Sequence, residues 1–452
     1  MMKDLVDKYN IPGPRYTSYP TVPYWQESTF SLEAWKKSIK TDYNASNNAI
    51  SLYIHLPFCE SLCTFCACNK RITKRHDVEK PYIEAVLKEF DLYLAQLSHK
   101  PQIKELHLGG GTPTFFSPEN LKKLISEILT KTEPASENDF SFEGHPNNTT
   151  YAHLKTLFDL GFRRVSFGIQ DYNPQVQLAI HRIQSFDNVK KVTNLAREIG
   201  YTSVGHDLIF GLPHQQVADI EHTIAKTREL MPDRIAFYSY AHVPWIKGNG
   251  QRGFNEADLP SAQKKRYQYE LGKYQLEQAG YFELGMDHFA LPTDSLYKAY
   301  EQGKIHRNFM GYTTTETSKL IGLGVSAISD AWYGFAQNEK KLEDYYKRLS
   351  NDELPIFRGH ILSNKDLVIR QHILNLMCRM MTNWKNSDLY LPDIPDILID
   401  LKEMQDDDLL EIDKNYIQVK AAGRAFIRNI CMAFDLRLKD NKPQRQLFSQ
   451  TI

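Results

Sequence analysis

The sequence predicts an α/β fold: an open (β/α)6 partial TIM-type barrel with an extended N-terminal arm and a mainly helical C-terminal domain. Three observations predict it. Six strand-like runs recur between residues 50 and 239, and stretches of helical period separate them. The residues able to do chemistry fall at the C-terminal ends of those runs, where parallel barrels place their sites. From about Leu362 the texture changes to helices with short strands between them.

Residues 1–48 open with a short polar helix and continue as Pro12-Gly13-Pro14-Arg15-Tyr16-Thr17-Ser18-Tyr19-Pro20-Thr21. The prolines forbid a regular element there. The stretch is either an arm laid over the surface or a lid that carries Arg15 or a tyrosine hydroxyl to a pocket. Ile50–Leu56 alternates like a strand and runs into a cysteine loop. Residues 79–98 carry Ile83, Val86, Leu87, Phe90 and Leu94 on one helical stripe. Ile103–Leu108 is a second strand, ended by Gly109-Gly110-Gly111. Ser117-Pro118 then marks a helix start, with serine as cap and proline in the first turn. Phe140–Glu143, Arg164–Ile169, Thr202–Phe210 and Arg234–Ser239 are the remaining strands. Helices over Tyr151–Leu160, Phe186–Ile199 and Val217–Leu230 separate them. Such alternation calls for right-handed crossovers and a parallel sheet with helices outside. Beyond it come a helix over Ser261–Gln278, strand-like pieces at Leu284–Phe289 and Ile321–Ile328, and a short strand at Ile412–Val419. The expected divisions are 1–48 (arm), 49–360 (barrel and its extension) and 361–452 (helical domain).

At 452 residues the chain can bury a large core. Lys+Arg (55) balances Asp+Glu (55), so nothing points to a nucleic-acid or anionic-membrane partner. No run of about 18 apolar residues occurs, and the N-terminus carries no apolar leader. The expectation is a cytoplasmic monomer with no membrane insertion.

Four of the six cysteines fall between Cys59 and Cys68, and Cys59, Cys63 and Cys66 follow the spacing C-x3-C-x2-C. One compact loop of this kind suits three thiolates around a four-iron cluster, leaving one iron open. A closed zinc site needs a fourth protein ligand. Cys68 offers one, but a single intervening residue makes a poor chelate with Cys66. Structural disulfides do not suit a chain with few cysteines and no secretory segment. Cys378 and Cys431 sit in apolar helical contexts and read as buried, inert thiols. Gly109-Gly110-Gly111-Thr112 leaves backbone donors and acceptors bare at a strand end, open to a small zwitterion or serving as a plain tight turn. Glu143, and Asp207 beside His206, end strands and either accept bonds from an ammonium or ribose diol or are solvated carboxylates.

These residues together resemble a known family. Leu52-Tyr53-Ile54-His55, the Cys59–Cys68 loop with Phe65 before Cys66, and Gly109-Gly110-Gly111-Thr112-Pro113-Thr114 are similar to the radical S-adenosylmethionine (SAM) enzymes. The closer resemblance is to the oxygen-independent coproporphyrinogen III oxidases (dehydrogenases). Pro14–Thr21, Gly285–Ala290, His306-Arg307-Asn308-Phe309, Gly324–Ser329 and Arg428–Met432 carry it over nearly the whole chain. The resemblance implies a [4Fe–4S] cluster on Cys59, Cys63 and Cys66, with SAM on the open iron. It implies a 5′-deoxyadenosyl radical that turns two propionates of coproporphyrinogen III into vinyl groups, giving protoporphyrinogen IX. It implies two SAM molecules. Tyr53, Gly110, Glu143 and Ile328 would meet the first. Phe65, Gly111, Thr112, Gln170, Arg182, Asp207 and Ala241 would meet the second. An electron donor and an electron acceptor are implied as partners. Four propionates need cationic forks, for which Arg15 and Arg307 are candidates, with Phe309 beside the macrocycle.

Departures from the family pattern fall near these positions. Ala67 replaces a common glycine, Gly144-His145 precede Pro146, His181 precedes Arg182, Gly205-His206 precede Asp207, and Met310 stands where glutamine occurs. Gly205 and His206 put second-SAM binding in question, and Met310 lacks an amide for substrate or SAM. Competing readings are a haem-handing chaperone of the same superfamily, a radical enzyme acting on another tetrapyrrole, and a zinc-stabilised structural protein. Cys68 and the Arg15–Pro20 arm favour the enzyme over the chaperone.

Overall fold

The computed structural model describes residues 2–25, 30–41, 48–245, 250–251, 253–385, 387–441 and 443–452. Its centre is a twelve-stranded sheet. Six strands match the predicted repeat: β1 (Ala49–Leu56), β2 (Gln102–Gly110), β3 (Asp139–Gly144), β4 (Arg164–Gln170), β5 (Ser203–Phe210) and β6 (Arg234–Ser239). The sheet continues with β7 (Phe282–Leu284), β8 (His288–Ala290), β9 (Leu320–Leu323), β10 (Ile328–Asp330), β11 (Gly334–Asn338) and β12 (Ile356–Ile361). The spatial order is β12-β11-β10-β9-β1-β2-β3-β4-β5-β6-β8-β7. Strands β9, β1 and β2 to β6 run parallel. The outer strands on both sides are antiparallel.

The helices of the repeat form where their caps predict. Ser117 accepts from the Asn120 amide at 3.2 Å and Pro118 opens the helix Pro118–Thr130. Ser185 caps Phe186–Ile199, which ends on Gly200 at φ +114°. The first crossover helix covers Glu79–Leu94, shorter than the predicted 79–98. Its end tightens, because the Gln96 and Leu97 amides turn back to the carbonyls of Tyr93 and Leu94. These helices bury one stripe each, and β1 is buried along nearly its whole length, as a strand covered on both faces must be.

Three stretches read as single strands are hairpins. Leu284–Phe289 reverses at Gly285 (φ +62°), where a Cβ would come within 2.1 Å of the Tyr312 ring. Ile321–Ile328 reverses at Gly324 (φ +97°). Ile412–Val419 is the strand pair Leu410–Asp413 and Tyr416–Val419. In each, alternation runs through the turn and hides it.

Two large cores hold the molecule. One fills the space between the sheet and its helices and takes in Trp35 and Ile39 of the helix Leu32–Lys40. The other joins Val6, Tyr9, Tyr16 and Tyr19 of the N-terminal arm to residues between Ile369 and Ile452. The arm is therefore packed against the C-terminal region through its aromatic side chains. Cys378 and Cys431 are buried as expected.

Candidate active site

The cysteine loop leaves β1 at Pro57 and is fixed by main-chain bonds. The Arg71 amide donates to the Pro57 carbonyl at 2.8 Å and the Thr73 amide to Cys59 at 2.9 Å. Thr64 fastens the middle of the loop, its amide to Ile180 (3.0 Å) and its hydroxyl to Ala179 (2.8 Å). So held, Cys59, Cys63 and Cys66 line one cavity of ≈ 730 Å³, with Phe65, Gly111, Thr112 and Arg182. The Cys59 Sγ lies 3.4 Å from the Thr112 hydroxyl, and Arg182 Nη1 lies 3.8 Å from the Cys63 Sγ. Burial pushes the Cys59 thiol up to about 11. Cys68 is exposed, and its thiol beside Cys66 lowers the Cys66 thiol below its ordinary value.

The residues fit an iron–sulfur cluster better than a single ion. Among the described residues no three His, Cys, Asp or Glu side chains come close enough to share one metal ion. Three thiols spread round a cavity wall suit a group several ångströms wide. Arg182 donates to the Gly168 carbonyl at 2.7 Å, yet its buried Nε has no partner among the described residues. An orphaned cationic donor beside thiols calls for an anionic ligand. The glycine run keeps the rim open. A Cβ at Gly111 would meet Pro57 backbone at 2.6 Å, and Gly110 holds φ +115° with His55 2.7 Å from the Cβ position.

A second group lies inside the barrel. Glu143 accepts from the Gly110 amide at 3.3 Å and lies 3.6 Å from His107 Nε2. Tyr53 stacks on His107 and donates or accepts at His55 Nδ1, 3.0 Å away. A small cavity of ≈ 90 Å³ joins Glu143, Asp207, Tyr238, His288, Met310 and His107. Burial raises the Asp207 carboxyl to about 6, against the Ser166 hydroxyl that donates to it at 2.8 Å.

The predicted residues thus divide. Cys59, Cys63, Cys66, Phe65, Gly111, Thr112 and Arg182 share the outer cavity, while Glu143 and Asp207 share the inner one. Gln170 sits at a bulge of β4 with φ +68°. A Cβ at Gly168 would meet its amide at 2.7 Å and Arg182 at 2.8 Å. Ala241 and Phe65 both offer their carbonyls to Gln251, at 3.0 and 2.9 Å. Ile328 and Phe309 lie apart, in an apolar group with Trp25 and Phe335. Arg15 donates to the Ser239 carbonyl (2.8 Å), and Arg307 lies over the Tyr312 ring at 4.5 Å. The His206 ring bonds Thr193 on the flanking helix at 3.0 Å, so it faces away from Asp207's partner Ser166. Sequence reasoning missed Thr64 and Gln251, which sit in stretches without periodicity. It also missed Tyr238, although alternation along β6 puts Tyr238 with Ala236 on the inner face.

Comparison with known proteins completes this picture. Residues 53–226 match the Radical SAM superfamily, which is the class the parallel sheet and cysteine loop define. The oxygen-independent coproporphyrinogen III oxidase of Pseudomonas aeruginosa is 36% identical over 99% of this chain and 98% of its own length. The enzyme of that name from Escherichia coli K12 is 38% identical over 99% and 98%. A solved structure of Escherichia coli coproporphyrinogen III oxidase, described as a radical SAM enzyme, superposes with a TM-score of 0.88 at 36% identity, covering 94% of this chain and 98% of that one. The chain belongs to the oxygen-independent coproporphyrinogen III oxidase family.

Proposed function

We propose that this protein oxidatively decarboxylates two propionate side chains of coproporphyrinogen III to vinyl groups without oxygen, giving protoporphyrinogen IX for haem synthesis. The observation that carries the reading is three thiols of a C-x3-C-x2-C loop on one cavity at the C-terminal ends of the parallel strands, in a chain alike to named oxidases along its whole length. Its cofactors are a [4Fe–4S] cluster and SAM, which together supply a 5′-deoxyadenosyl radical able to take a β-hydrogen from a propionate. Loss of CO2 and one electron then leaves the vinyl group. A strong one-electron donor and a separate acceptor are the remaining partners, and the protein acts as a cytoplasmic monomer.

In this reading Cys59, Cys63 and Cys66 hold the cluster. Tyr53, Gly110, Glu143 and Ile328 orient one SAM. Phe65, Gly111, Thr112, Gln170, Arg182, Asp207 and Ala241 orient a second. Gly110 and Gly111 let main chain approach the ligand closely. Glu143 offers its free lone pairs to an ammonium or a diol. Arg182 offers its orphaned Nε to an anion. Arg15 and Arg307 take propionates, and Phe309 packs beside the macrocycle. Residues 1–48 serve as arm, 49–360 as catalytic domain and 361–452 as C-terminal domain. No helix among the described residues is long and apolar enough to cross a membrane.

The test is an anaerobic assay of reconstituted protein with SAM, a strong reductant, an acceptor and coproporphyrinogen III. The expected products are protoporphyrinogen IX, two CO2 and 5′-deoxyadenosine. Deoxyadenosine without porphyrinogen turnover overturns the substrate. No SAM cleavage with tight haem binding overturns the enzyme reading in favour of a haem carrier.

A further inference from the structure

Four cations meet where the arm, the end of β6 and residues 450–452 come together. Arg15 donates to the Ser239 carbonyl at 2.8 Å. Lys265, on the helix Ala262–Gln278, donates to the adjoining Tyr240 carbonyl at 2.9 Å and to that of Ile452 at 3.3 Å. Arg307 donates to the carbonyls of Arg15 and Tyr16 at 3.3 and 3.4 Å. Arg428 donates to those of Pro14 (2.8 Å), Gln450 (2.9 Å) and Gly13. The bonds of Arg15, Arg307 and Arg428 end on neutral main-chain oxygens.

Among the described residues Arg15, Arg307 and Arg428 form no ion pair with a side chain, and the carboxylate that faces Arg15 and Arg307 is Asp287. That carboxylate is already bonded to His288 at 2.7 Å. Desolvated positive charges that outnumber the carboxylates facing them form a costly arrangement unless an anion completes it. Burial, with Arg15 and Arg428 near, pushes Lys265 down to about 7, and burial with Arg15 near brings Arg428 down to about 9. There is also room. A cavity of ≈ 170 Å³ has Arg15, Ser239, Glu283, Asp287 and Arg428 in its wall, together with Ile452, to which Lys265 is bonded. Arg15 and Lys265 bind adjoining carbonyls, so their heads are neighbours, and both keep unused donors among the described residues. Gly211 (φ +81°) lets the Lys265 stem lie across the end of β5, since a Cβ there would come within 2.8 Å of Lys265 Cε.

We propose that Arg15 and Lys265 form a carboxylate subsite that takes one propionate of the tetracarboxylate substrate, with Arg428 as the positioning residue that clamps the arm so that Arg15 reaches it. This rests on the porphyrinogen reading above and adds Lys265 and Arg428 to it. Arg428 has all three of its nitrogens engaged on carbonyls of two segments, so its work is to hold. Lys265 has a donor to give.

The experiment titrates anaerobically reconstituted protein with coproporphyrin III, the stable oxidised porphyrin with the same four propionates, by fluorescence. Lys265→Met is expected to weaken binding roughly 10- to 100-fold, the value of one charge-assisted hydrogen bond. The coproporphyrin tetramethyl ester is expected to bind wild type and variant alike. Lys265→Gln, closer in polarity, serves if the methionine variant fails to fold. Arg428→Met is expected to weaken binding and open the arm to proteolysis near Arg15. Arg428→Lys should restore part of both, while Lys265→Met leaves the arm protected. A folded Lys265 variant that binds coproporphyrin like wild type overturns the subsite. A wild type that binds no coproporphyrin overturns the porphyrinogen reading itself.

Discussion

The two ends of the barrel use the same charged residue types in opposite ways. At the N-terminal ends of the strands the two arginines that open strands each have an acid. Arg164 opens β4 and forks onto Asp139, which opens β3, at 3.2 and 3.3 Å. Arg234 opens β6 and pairs with Asp294 at 2.7 Å, which also accepts from Ser203. Burial works against the Asp139 charge, yet Arg164 and Arg234 outweigh it and hold its carboxyl below the usual range. At the C-terminal ends the cations are bonded to carbonyls, Arg182 keeps an orphaned Nε, and burial lifts Asp207 to about 6. The floor is complete in itself and the mouth is not. Complete charge pairing contributes to folding, whereas incomplete pairing is where a ligand is needed.

Breaking the mouth should therefore abolish chemistry with little loss of fold. The largest effect is expected from Cys59→Ala, Cys63→Ala or Cys66→Ala. Each should lose iron, acid-labile sulfide and the visible absorption of the cluster, and with them all SAM cleavage. A variant with full cluster absorption would remove that cysteine from the ligand set.

A matched pair of arginine variants tests the contrast directly. Arg182→Met at the mouth should lower kcat/KM roughly 10- to 100-fold, one charge-assisted bond to an anionic ligand, with denaturant midpoint nearly unchanged. Arg164→Met at the floor should keep SAM cleavage per folded molecule. It should reduce the unfolding free energy by about 2–3 kcal/mol, somewhat less than a fully buried pair because both groups keep some exposure. If Arg164→Met proved catalytically dead yet as stable as wild type, the two ends would not divide the work in this way.

How much of this was legible in the sequence follows from how local each signal is. The six strands and their helices were legible because alternation and helical stripes are local, and because caps such as Ser117 and Ser185 act within one turn. The cysteine loop was legible because three ligands of one group fall within eight residues, Cys59 to Cys66. The hairpin turns at Gly285 and Gly324 were not, since each glycine sits inside an alternating run. Lys265 was not legible either. It is one lysine of a polar helix, and only the docking of that helix on β5 and β6, beside Gly211, gives it a role. Arg428 depends on carbonyls more than 400 residues earlier in the chain, at Gly13 and Pro14, a pairing that no local pattern records. At His206 strand alternation turns the ring to Thr193, a partner on the flanking helix that the local motif does not record.

The smallest expected effect separates the two ends by pH. Asp207 has its carboxyl raised to about 6, above the ordinary range near 4. Its folded form therefore binds a proton more tightly than its unfolded form. The stability this lends is fully present below about pH 4 and is lost as pH rises through 6. Asp207→Asn has no such proton to lose. Measured by chemical denaturation of cluster-free protein, the variant should gain on wild type between pH 4 and 7, by about 1–2 kcal/mol after allowing for partial exposure of the site. Asp139 at the floor has the opposite sign, because its carboxyl is held low by arginine: its contribution is present at neutral pH and fades as pH falls below the ordinary carboxyl range. Asp139→Asn should accordingly fall furthest behind wild type at neutral pH and draw level in acid. Parallel pH profiles for Asp207→Asn and wild type would mean that the mouth carboxylate is charged throughout, and that the imbalance at this end lies in its cations alone.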